Sequence, residues 1–426
     1  MFNKLKAKFS KQNEDENLKK GNFVLSLDIG TEVIKVLVIE LREDGKGQVI
    51  GSGRKRQTLG DMSGGAVTNI NGVVQNCNRA INEATSMAGV VPEQMIMGIG
   101  GELVKGAATV VNYTREDSDK PISLTELKNI VHKVQWKAFD QVRSQLAWET
   151  GYAELDVKLV NAAVVDVRVD GYRVANPLGF QGKNISVSIF NAFAPLVHFG
   201  ALQSIAEELD IDLLSIAAEP YAVSRCIGTE DMHDFSAIFM DIGGGTTDIA
   251  VVRNGGVEGT KMFALGGRTF TKRLAQMLNV SFEEAEKVKL AYSDDKLDAK
   301  SKERVRFAMI SDAEVWLSGV QLTLGEFYNI DTLPSNIYLC GGGSGLPEIK
   351  EVLESTEWVS ELPFAHIPKI SFIQPEDVTN IIDKTGLMKN PQDVTVMALG
   401  NLALDLAGEE TVVAKTLRKA VKMMRT

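Results

Sequence analysis

The fold of this chain is decided by the stretch Ala237-Ile238-Phe239-Met240-Asp241-Ile242-Gly243-Gly244-Gly245-Thr246-Thr247-Asp248. Apolar residues precede Asp241 and follow Asp248, and glycines and threonines lie between them. This pattern predicts two strands joined by a tight turn, with a carboxylate and uncovered backbone amides at its tip. Three successive glycines between apolar strands are hard to explain by packing alone, so the turn is predicted to bind phosphate.

A similar arrangement occurs near the start of the chain, in Phe23-Val24-Leu25-Ser26-Leu27-Asp28-Ile29-Gly30-Thr31. Taken alone, Asp28 to Thr31 fits an ordinary tight turn equally well, because short motifs often occur by chance. Two such hairpins facing each other would grip the phosphates of one nucleotide. Mg²⁺ binds through one or two acids plus phosphate oxygens and water. We therefore predict a Mg²⁺ site between Asp28 and Asp241.

Two further glycine-rich turns follow predicted strands. Gly266-Gly267 opens a predicted helix, where free backbone N–H groups and the helix dipole favour an anion. Gly341 to Gly345 lies between a strand and a second helix. Each turn alone is more simply a strand–helix connection. Four such turns in one chain are a much stronger indication of a nucleotide site than any single one.

Composition limits the class of protein. The chain has 426 residues, of which 44% are hydrophobic, and this length indicates two or more domains. A net charge of −10 argues against a general nucleic-acid binder. No apolar run approaches the ~18 residues of a spanning helix, and the Lys-rich start lacks the apolar core of a secretory leader. The widely separated Cys77, Cys226 and Cys340 are interpreted as reduced, buried thiols of a cytoplasmic protein.

The order of these turns resembles that of the actin-like ATPase superfamily. The resemblance implies phosphate loops at Asp28 to Thr31 and at Asp241 to Thr247, and an adenosine loop at Gly341 to Gly345. Glu219, in Glu219-Pro220-Tyr221-Ala222, resembles the acid that polarises the attacking water, so Glu219 and Asp241 are the implied catalytic residues. Glu286 and Lys289 match a pair that contacts the nucleoside, although an exposed amphipathic helix face fits them equally well. The implied nucleotide-binding residues are Asp28, Gly30, Thr31, Gly243, Gly244, Gly245, Thr246, Thr247, Gly266, Gly267, Glu286, Lys289, Gly341, Gly342, Gly343 and Ser344.

Within this superfamily the chain resembles the FtsA family of bacterial cell division. Gly64-Gly65-Ala66-Val67 with Asn69 is similar to a family stretch. Ile122-Ser123 and Asn176-Pro177-Leu178-Gly179 resemble the small subdomain that distinguishes this family from actin and MreB. The PilM family of pilus assembly also carries the insert and is the alternative. The resemblance covers roughly residues 21–408.

The resemblance implies an α/β, actin-like two-domain ATPase fold with a small α/β subdomain inserted in the first half. Residues 1–20 are polar and Lys-rich and are expected to form a flexible segment. The implied first half comprises 21–93 and 196–225 with a return at 394–408; the insert is 94–195; the second-half core is 226–260 and 331–393; its helical subdomain is 261–330; and 411–426 is a basic amphipathic segment.

The implied function is that of an ATP- and Mg²⁺-dependent division protein. It would polymerise, hydrolyse ATP slowly, and tether an FtsZ-type tubulin-like protein to the inner face of the cell membrane. Its implied partners are therefore that protein, further copies of itself, an anionic membrane surface and later division proteins, but no nucleic acid. The alternatives are a PilM-like pilus-assembly scaffold and a scaffold that binds nucleotide without hydrolysing it.

The membrane contact has two candidate segments. On a helix, residues 411–426 would carry an apolar stripe flanked by cations, which is typical of an interfacial helix on anionic lipid. The N-terminus has a similar pattern, with Met1, Phe2, Leu5 and Phe9 among lysines. The family usually ends in a helix rich in aromatic residues, which this tail lacks, and a basic last helix packed on the core is the alternative. The candidate membrane residues are Val413, Leu417, Ala420, Val421 and Met424.

Overall fold

The computed structural model describes residues 22–407, apart from 102, 152–155, 228–234 and 329. Within these ranges the strands are β1 (Asn22–Ile29), β2 (Val33–Leu41), β3 (Gly47–Arg56), β4 (Met62–Ser63), β5 (Ala66–Val67), β6 (Gln94–Ile99), β7 (Lys105–Thr114), β8 (Val157–Val169), β9 (Tyr172–Arg173), β10 (Asn184–Pro195), β11 (Asp212–Ala218), β12 (Ala237–Ile242), β13 (Thr247–Arg253), β14 (Gly256–Phe263), β15 (Asn336–Cys340), β16 (Lys369–Phe372) and β17 (Ile381–Asp383).

Helices alternate with these strands along the chain. Alternation of strands and helices is typical of an α/β fold, in which helices cover the faces of the sheets. The helices are α1 (Ile70–Ala88), α2 (Leu124–Thr150), α3 (Leu196–Leu209), α4 (Glu219–Ser224), α5 (Gly267–Leu278), α6 (Phe282–Ser293), α7 (Ala299–Gly325), α8 (Pro347–Glu354) and α9 (Val394–Ala407).

Both hairpins predicted from the sequence are present. β1 pairs antiparallel with β2, and Asp28 lies opposite Lys35. β12 pairs antiparallel with β13, and Asp241 lies opposite Asp248. The side chains of all four residues are therefore placed by strand register rather than by loop conformation. This gives the site a rigid base.

The first sheet has the strand order β11-β6-β1-β2-β3-β17. β1 is parallel to β6 and antiparallel to β2, so its two neighbours meet it in opposite senses. The strand is buried along nearly its whole length. Helix α1 packs on β2 and β3, and α9 packs on β1 and β2. Because these helices cover the sheet, β1 is buried at almost every position instead of at alternate positions.

The second sheet has nine strands in the order β16-β15-β12-β13-β14-β7-β10-β8-β9. It joins the core of the second half to β7, β8, β9 and β10 of the insert. The junction is short, because only Gly259 and Thr260 of β14 pair with Ala107 and Gly106 of β7. Helix α2 covers the insert part of the sheet and packs on β7 and β10.

Two predicted boundaries need correction. Gln94–Ile99, predicted to begin the insert, forms β6 and pairs with β1 and β11 of the first sheet. Ile381–Asp383, predicted to belong to the second half, forms β17 and pairs with β3 of the first sheet. Both errors have one cause: the partner of a strand is distant in sequence and leaves no local signal.

Candidate functional site

A cavity of about 540 Å³ lies between the two hairpins. This volume is in the usual range for a small-molecule site, roughly 300–1,000 Å³. Residues from all four predicted glycine-rich turns line it. The predicted site residues in its wall are Asp28, Gly30, Thr31, Glu219, Asp241, Gly243, Gly244, Thr246, Gly267, Glu286, Lys289, Gly341, Gly342, Gly343 and Ser344.

Three predicted binding residues do not line the cavity and instead pack the turns together. The Thr247 hydroxyl donates to the Leu265 carbonyl at 2.8 Å and accepts from the Trp316 indole at 2.8 Å. A Cβ on Gly266 would lie 2.7 Å from the carbonyl oxygen of Gly243. A Cβ on Gly245 would lie 2.9 Å from the Thr31 side chain. Close packing between the turns, against backbone at Gly266 and against the Thr31 side chain at Gly245, favours glycine at these two positions.

Buried carboxylates collect at the hairpin tips around one lysine. The Lys35 ammonium lies 2.8 Å from a carboxylate oxygen of Asp28. The Thr395 hydroxyl donates to Asp241 at 2.5 Å. Burial acts to lower the pKa of Lys35, but Asp28 and Asp241 outweigh it and the pKa is raised. Lys35 therefore keeps its charge and provides a cation in the cavity wall.

The remaining acids of this group are poorly compensated. Asp248 has a buried carboxylate oxygen with no hydrogen-bond partner. Burial raises the pKa of Asp248 well above its usual range, and the nearby Asp241 and Asp28 add to this effect. Burial also raises the pKa of Asp241, although the Thr395 hydrogen bond opposes the shift. A bound cation would relieve the repulsion between these carboxylates.

Glu219 begins helix α4 and lies against the end of β6. A Cβ on Gly98 would lie 2.6 Å from a carboxylate oxygen of Glu219, so a larger residue on β6 would collide with this side chain. Burial raises the pKa of Glu219 well above its usual range, with further contributions from Asp28 and Asp248. The Glu219 carboxyl therefore takes up a proton more readily in the ligand-free protein than an ordinary glutamate does.

The donor set fits a hard divalent ion such as Mg²⁺. Such an ion needs only one or two protein carboxylates when phosphate oxygens and water supply its other ligands. Asp28 and Asp241 line the cavity, and Asp248 adds the unpartnered oxygen. In the described part of the chain, no three His, Cys, Asp or Glu side chains form a ready-made metal site. The protein alone therefore offers an incomplete shell, which a nucleotide's phosphates would complete.

Helix α6 forms the opposite end of the cavity. Glu286 accepts from the Thr271 hydroxyl at 2.5 Å and lies 2.9 Å from the Lys289 ammonium. Lys289 also donates to the Gly267 carbonyl at 2.9 Å. Glu286 and Lys289 are 5% and 8% exposed, so the alternative of an exposed helix face is wrong. Further along the same helix, Leu290 adds an apolar surface to the cavity wall.

The fourth glycine-rich turn, Gly341 to Gly345, is fixed against the second hairpin. Gly341 has a φ of +83°, which strongly favours glycine. A Cβ at this position would lie 2.1 Å from a carboxylate oxygen of Asp241, and one on Gly343 would lie 2.5 Å from Ile242. The turn can therefore approach the acids only because these residues lack side chains.

The sequence analysis did not predict several residues of the cavity wall. These include Lys35, Arg56, Gly65, Gly100 and Thr395. Lys35 had a usable signal, because it is a lone cation in an apolar strand. Gly65 was noted for its family resemblance but not as a site residue. Thr395 had no local signal, since it lies 154 positions from Asp241 in the chain.

Comparison with known proteins is consistent with this geometry. A family model described as cell division protein FtsA matches residues 238–398. The cell division protein FtsA of Neisseria meningitidis serogroup B is 25% identical over 416 residues, which cover 91% of each chain. That of Pseudomonas aeruginosa is 24% identical over 278 residues, covering 65% of this chain and 62% of the relative.

A solved structure supports the fold. The PilM-PilN type IV pilus biogenesis complex contains a chain that matches this one with a TM-score of 0.61. The match covers 89% of this chain and 98% of that chain at 16% identity. Identity at this level shows the fold alone. The comparisons confirm the resemblance predicted from the sequence: this chain has an actin-like α/β fold and is similar to relatives named cell division protein FtsA.

Proposed function

We propose that the chain binds ATP with Mg²⁺ and hydrolyses it slowly as an actin-like protein of bacterial cell division. The observation that carries this proposal is the cavity between the two hairpins, with buried acids, a lysine and bare glycine turns in its wall. Backbone amides approach phosphate closely where no Cβ intervenes. Lys35 and the turns at Gly30 and Gly244 would hold the phosphates, and helix α6 with Gly341 to Gly345 would hold the nucleoside.

The acidic residues would bind the metal ion and activate the attacking water. Asp28 and Asp241 would hold Mg²⁺ through its water shell, and the ion would supply positive charge to the phosphates. Glu219 would orient the attacking water and receive its proton. A nearby divalent cation favours the ionised form of a buried carboxyl. Glu219 would therefore become a competent base only when the cavity is loaded.

Asp241→Ala should weaken binding of Mg-ATP by roughly 10- to 100-fold, because the ion loses one of two orienting carboxylates. Titration with a fluorescent ATP analogue, with and without Mg²⁺, measures the effect. Asp312→Ala is the matched control, since Asp312 is a buried acid paired with Arg273 away from the cavity. Mg-dependent binding by the Asp241 variant that equals the wild type would contradict the proposed metal site.

The proposed cellular role is polymerisation and attachment of an FtsZ-type tubulin-like protein to the membrane. It is supported by the similarity to relatives named cell division protein FtsA. The alternative of a PilM-like scaffold is supported by the likeness in fold, at 16% identity, compared with 25% identity to the Neisseria meningitidis relative. The insert is proposed to contact the next subunit of the filament and later division proteins. The protein would then work at the inner face of the cell membrane.

The C-terminal segment, residues 411–426, is proposed to attach the chain to the membrane. No helix in the described part of the chain has the length and apolar character needed to cross a bilayer. Val413, Leu417, Ala420, Val421 and Met424 lie outside the described residues, as does the N-terminal candidate. Cations beside anionic lipid add about 1 kcal/mol each, so repetition along a filament would convert weak anchors into firm attachment.

Removing 411–426 should release most of the protein from liposomes that contain anionic lipid, whereas removing 1–11 should release less. Co-sedimentation measures this directly. The same assay with an added FtsZ-type protein tests recruitment, which should require both the full-length chain and ATP. Neutral liposomes are the control, because they lack the surface charge. If the intact chain never pellets with anionic liposomes, the tether is excluded and a scaffold away from the membrane replaces it.

A further inference from the structure

One arginine of the second half crosses to the first half beside the cavity. Arg268 lies in the first turn of α5, next to Gly267. Its guanidinium donates to a carboxylate oxygen of Glu32 at 2.7 Å and to the Thr31 carbonyl at 2.8 Å. A third donor reaches the Met62 carbonyl at 3.2 Å. One side chain thus holds the β1–β2 turn and the start of β4 together.

Glu32 extends this contact along the rim of the cavity. Its second carboxylate oxygen accepts from Arg56 at 2.6 Å. Arg56 in turn lies 3.6 Å from Glu286 on helix α6. These contacts form a series that starts in the second half of the protein, crosses to the first half and returns to the second. Its members in sequence are Arg268, Glu32, Arg56 and Glu286. Glu32, Arg56 and Glu286 line the cavity itself.

The Arg268–Glu32 pair is sheltered from solvent. The side chains of Arg268 and Glu32 are only 15% and 18% exposed. Burial acts to raise the pKa of Glu32, but hydrogen bonds from Arg268 and Arg56 outweigh it and the pKa is lowered. Sheltered, charge-assisted hydrogen bonds of this kind are stronger than ion pairs in open water.

The two hairpin turns also touch directly beneath these pairs. A Cβ on Gly244 would lie 2.8 Å from the Cβ of Glu32. The turns thus approach each other closely, and a motion that moved the β1–β2 turn away from α5 would separate Glu32 from Arg268. By contrast, Arg273 on the same helix pairs with Asp312 inside the second half, at 2.8 Å.

We propose that Arg268 is a positioning residue of the nucleotide cavity: it clasps the β1–β2 turn to α5 through Glu32 and thereby slows opening of the two halves. This inference rests on the proposed nucleotide site but concerns the rate at which nucleotide enters and leaves, rather than its hydrolysis. The clasp holds the cavity closed before any ligand enters. A bound nucleotide then leaves only after Glu32 and Arg268 have separated.

Dissociation of a fluorescent ATP analogue tests the clasp. Arg268→Gln should speed dissociation about tenfold, in line with the loss of a charge-assisted hydrogen bond. Arg273→Gln, the matched change on the same helix, should leave the rate unchanged. Glu32→Gln should give an increase at least as large as that of Arg268→Gln, since it also weakens the pair with Arg56. The double variant should add little, because both changes remove the Glu32–Arg268 pair. Arg268→Lys should restore only part of the slow rate, since lysine lacks the guanidinium fork.

Hydrogen exchange in the ligand-free protein separates this inference from the proposed function. Amides at 28–32 and 243–246 should exchange about tenfold faster in Arg268→Gln than in Arg273→Gln or wild type. If the wild type binds no nucleotide but exchange still responds, the nucleotide site fails and the clasp stands. The clasp is overturned if Arg268→Gln shows the wild-type rate of hydrogen exchange and the wild-type rate of nucleotide dissociation. The clasp is also overturned if the effects of Arg268→Gln and Glu32→Gln on the dissociation rate simply add in the double variant.

Discussion

Glu219→Gln should lower the rate of ATP hydrolysis by about 100-fold or more while changing the affinity for Mg-ATP less than about threefold. General base catalysis typically contributes about 10²–10⁴-fold, and glutamine keeps the size of the side chain but cannot accept the proton. Glu219 lies in the cavity wall beside the hairpin acids, where it would face the water that attacks the last phosphate of a bound nucleotide. Single-turnover phosphate release, measured together with nucleotide affinity, separates chemistry from binding.

A matched control is available on β14. Burial also raises the pKa of Glu258, yet this residue lies outside the cavity. Glu258→Gln should therefore leave hydrolysis at the wild-type rate. Two results would change the proposed mechanism. If Glu219→Gln hydrolyses ATP at the wild-type rate, another group activates the water. If the wild type releases no phosphate above background, the non-hydrolysing scaffold becomes the better description.

The sequence was sufficient to predict the local elements. The hairpins at Asp28 and Asp241 were identified from apolar runs ending in an acid and glycines, because that pattern is encoded within a few neighbouring residues. The helix predicted to open at Gly266-Gly267 is α5, and the strand predicted before Gly341 is β15. The actin-like fold followed from the order of these turns.

The sequence was not sufficient to predict how distant segments meet. β17 joins the first sheet by pairing with β3, although more than 300 residues separate them along the chain. Thr395 reaches Asp241, and Arg268 reaches Glu32, only through tertiary folding. No single-sequence pattern marks such pairs. The nucleotide site was therefore predicted as a set of turns, whereas its internal ion pairs were found only in the structure.

The hairpin acids also make a prediction about stability, because the same burial that prepares them for a cation is costly without one. Asp248 has an unpartnered oxygen in the cavity wall, and its neighbours Asp28 and Asp241 carry the same sign of charge. Its pKa is raised on folding. The stability contributed by the neutral form is thus fully present below the unfolded-state pKa, about 4, and is lost as pH rises through the folded-state pKa. Ligand-free wild type should accordingly lose stability as pH increases over that window.

Asp248→Asn should make the ligand-free protein more stable at pH 8, by about 1–3 kcal/mol, because a neutral amide avoids the burial of an uncompensated charge. Urea denaturation from about pH 4.5 to 8.5 should show a flatter pH dependence in the variant. Some slope should remain, since the pKa values of Glu219 and Asp241 are raised in the same direction. Mg-ATP should stabilise the wild type more than the variant, because the variant has lost a negative charge facing the ion.

Asp312→Asn provides the contrast for this experiment. Asp312 is buried but paired with Arg273, so neutralising it removes a favourable partner and should destabilise the protein at neutral pH. Opposite signs for the two Asp→Asn changes would show that the cavity acids are held at a cost that only a bound cation offsets. If Asp248→Asn instead destabilises the ligand-free protein at pH 8, the carboxylate is compensated within the fold. The cavity would then not be poised for Mg²⁺, and the nucleotide would have to bind without help from Asp248.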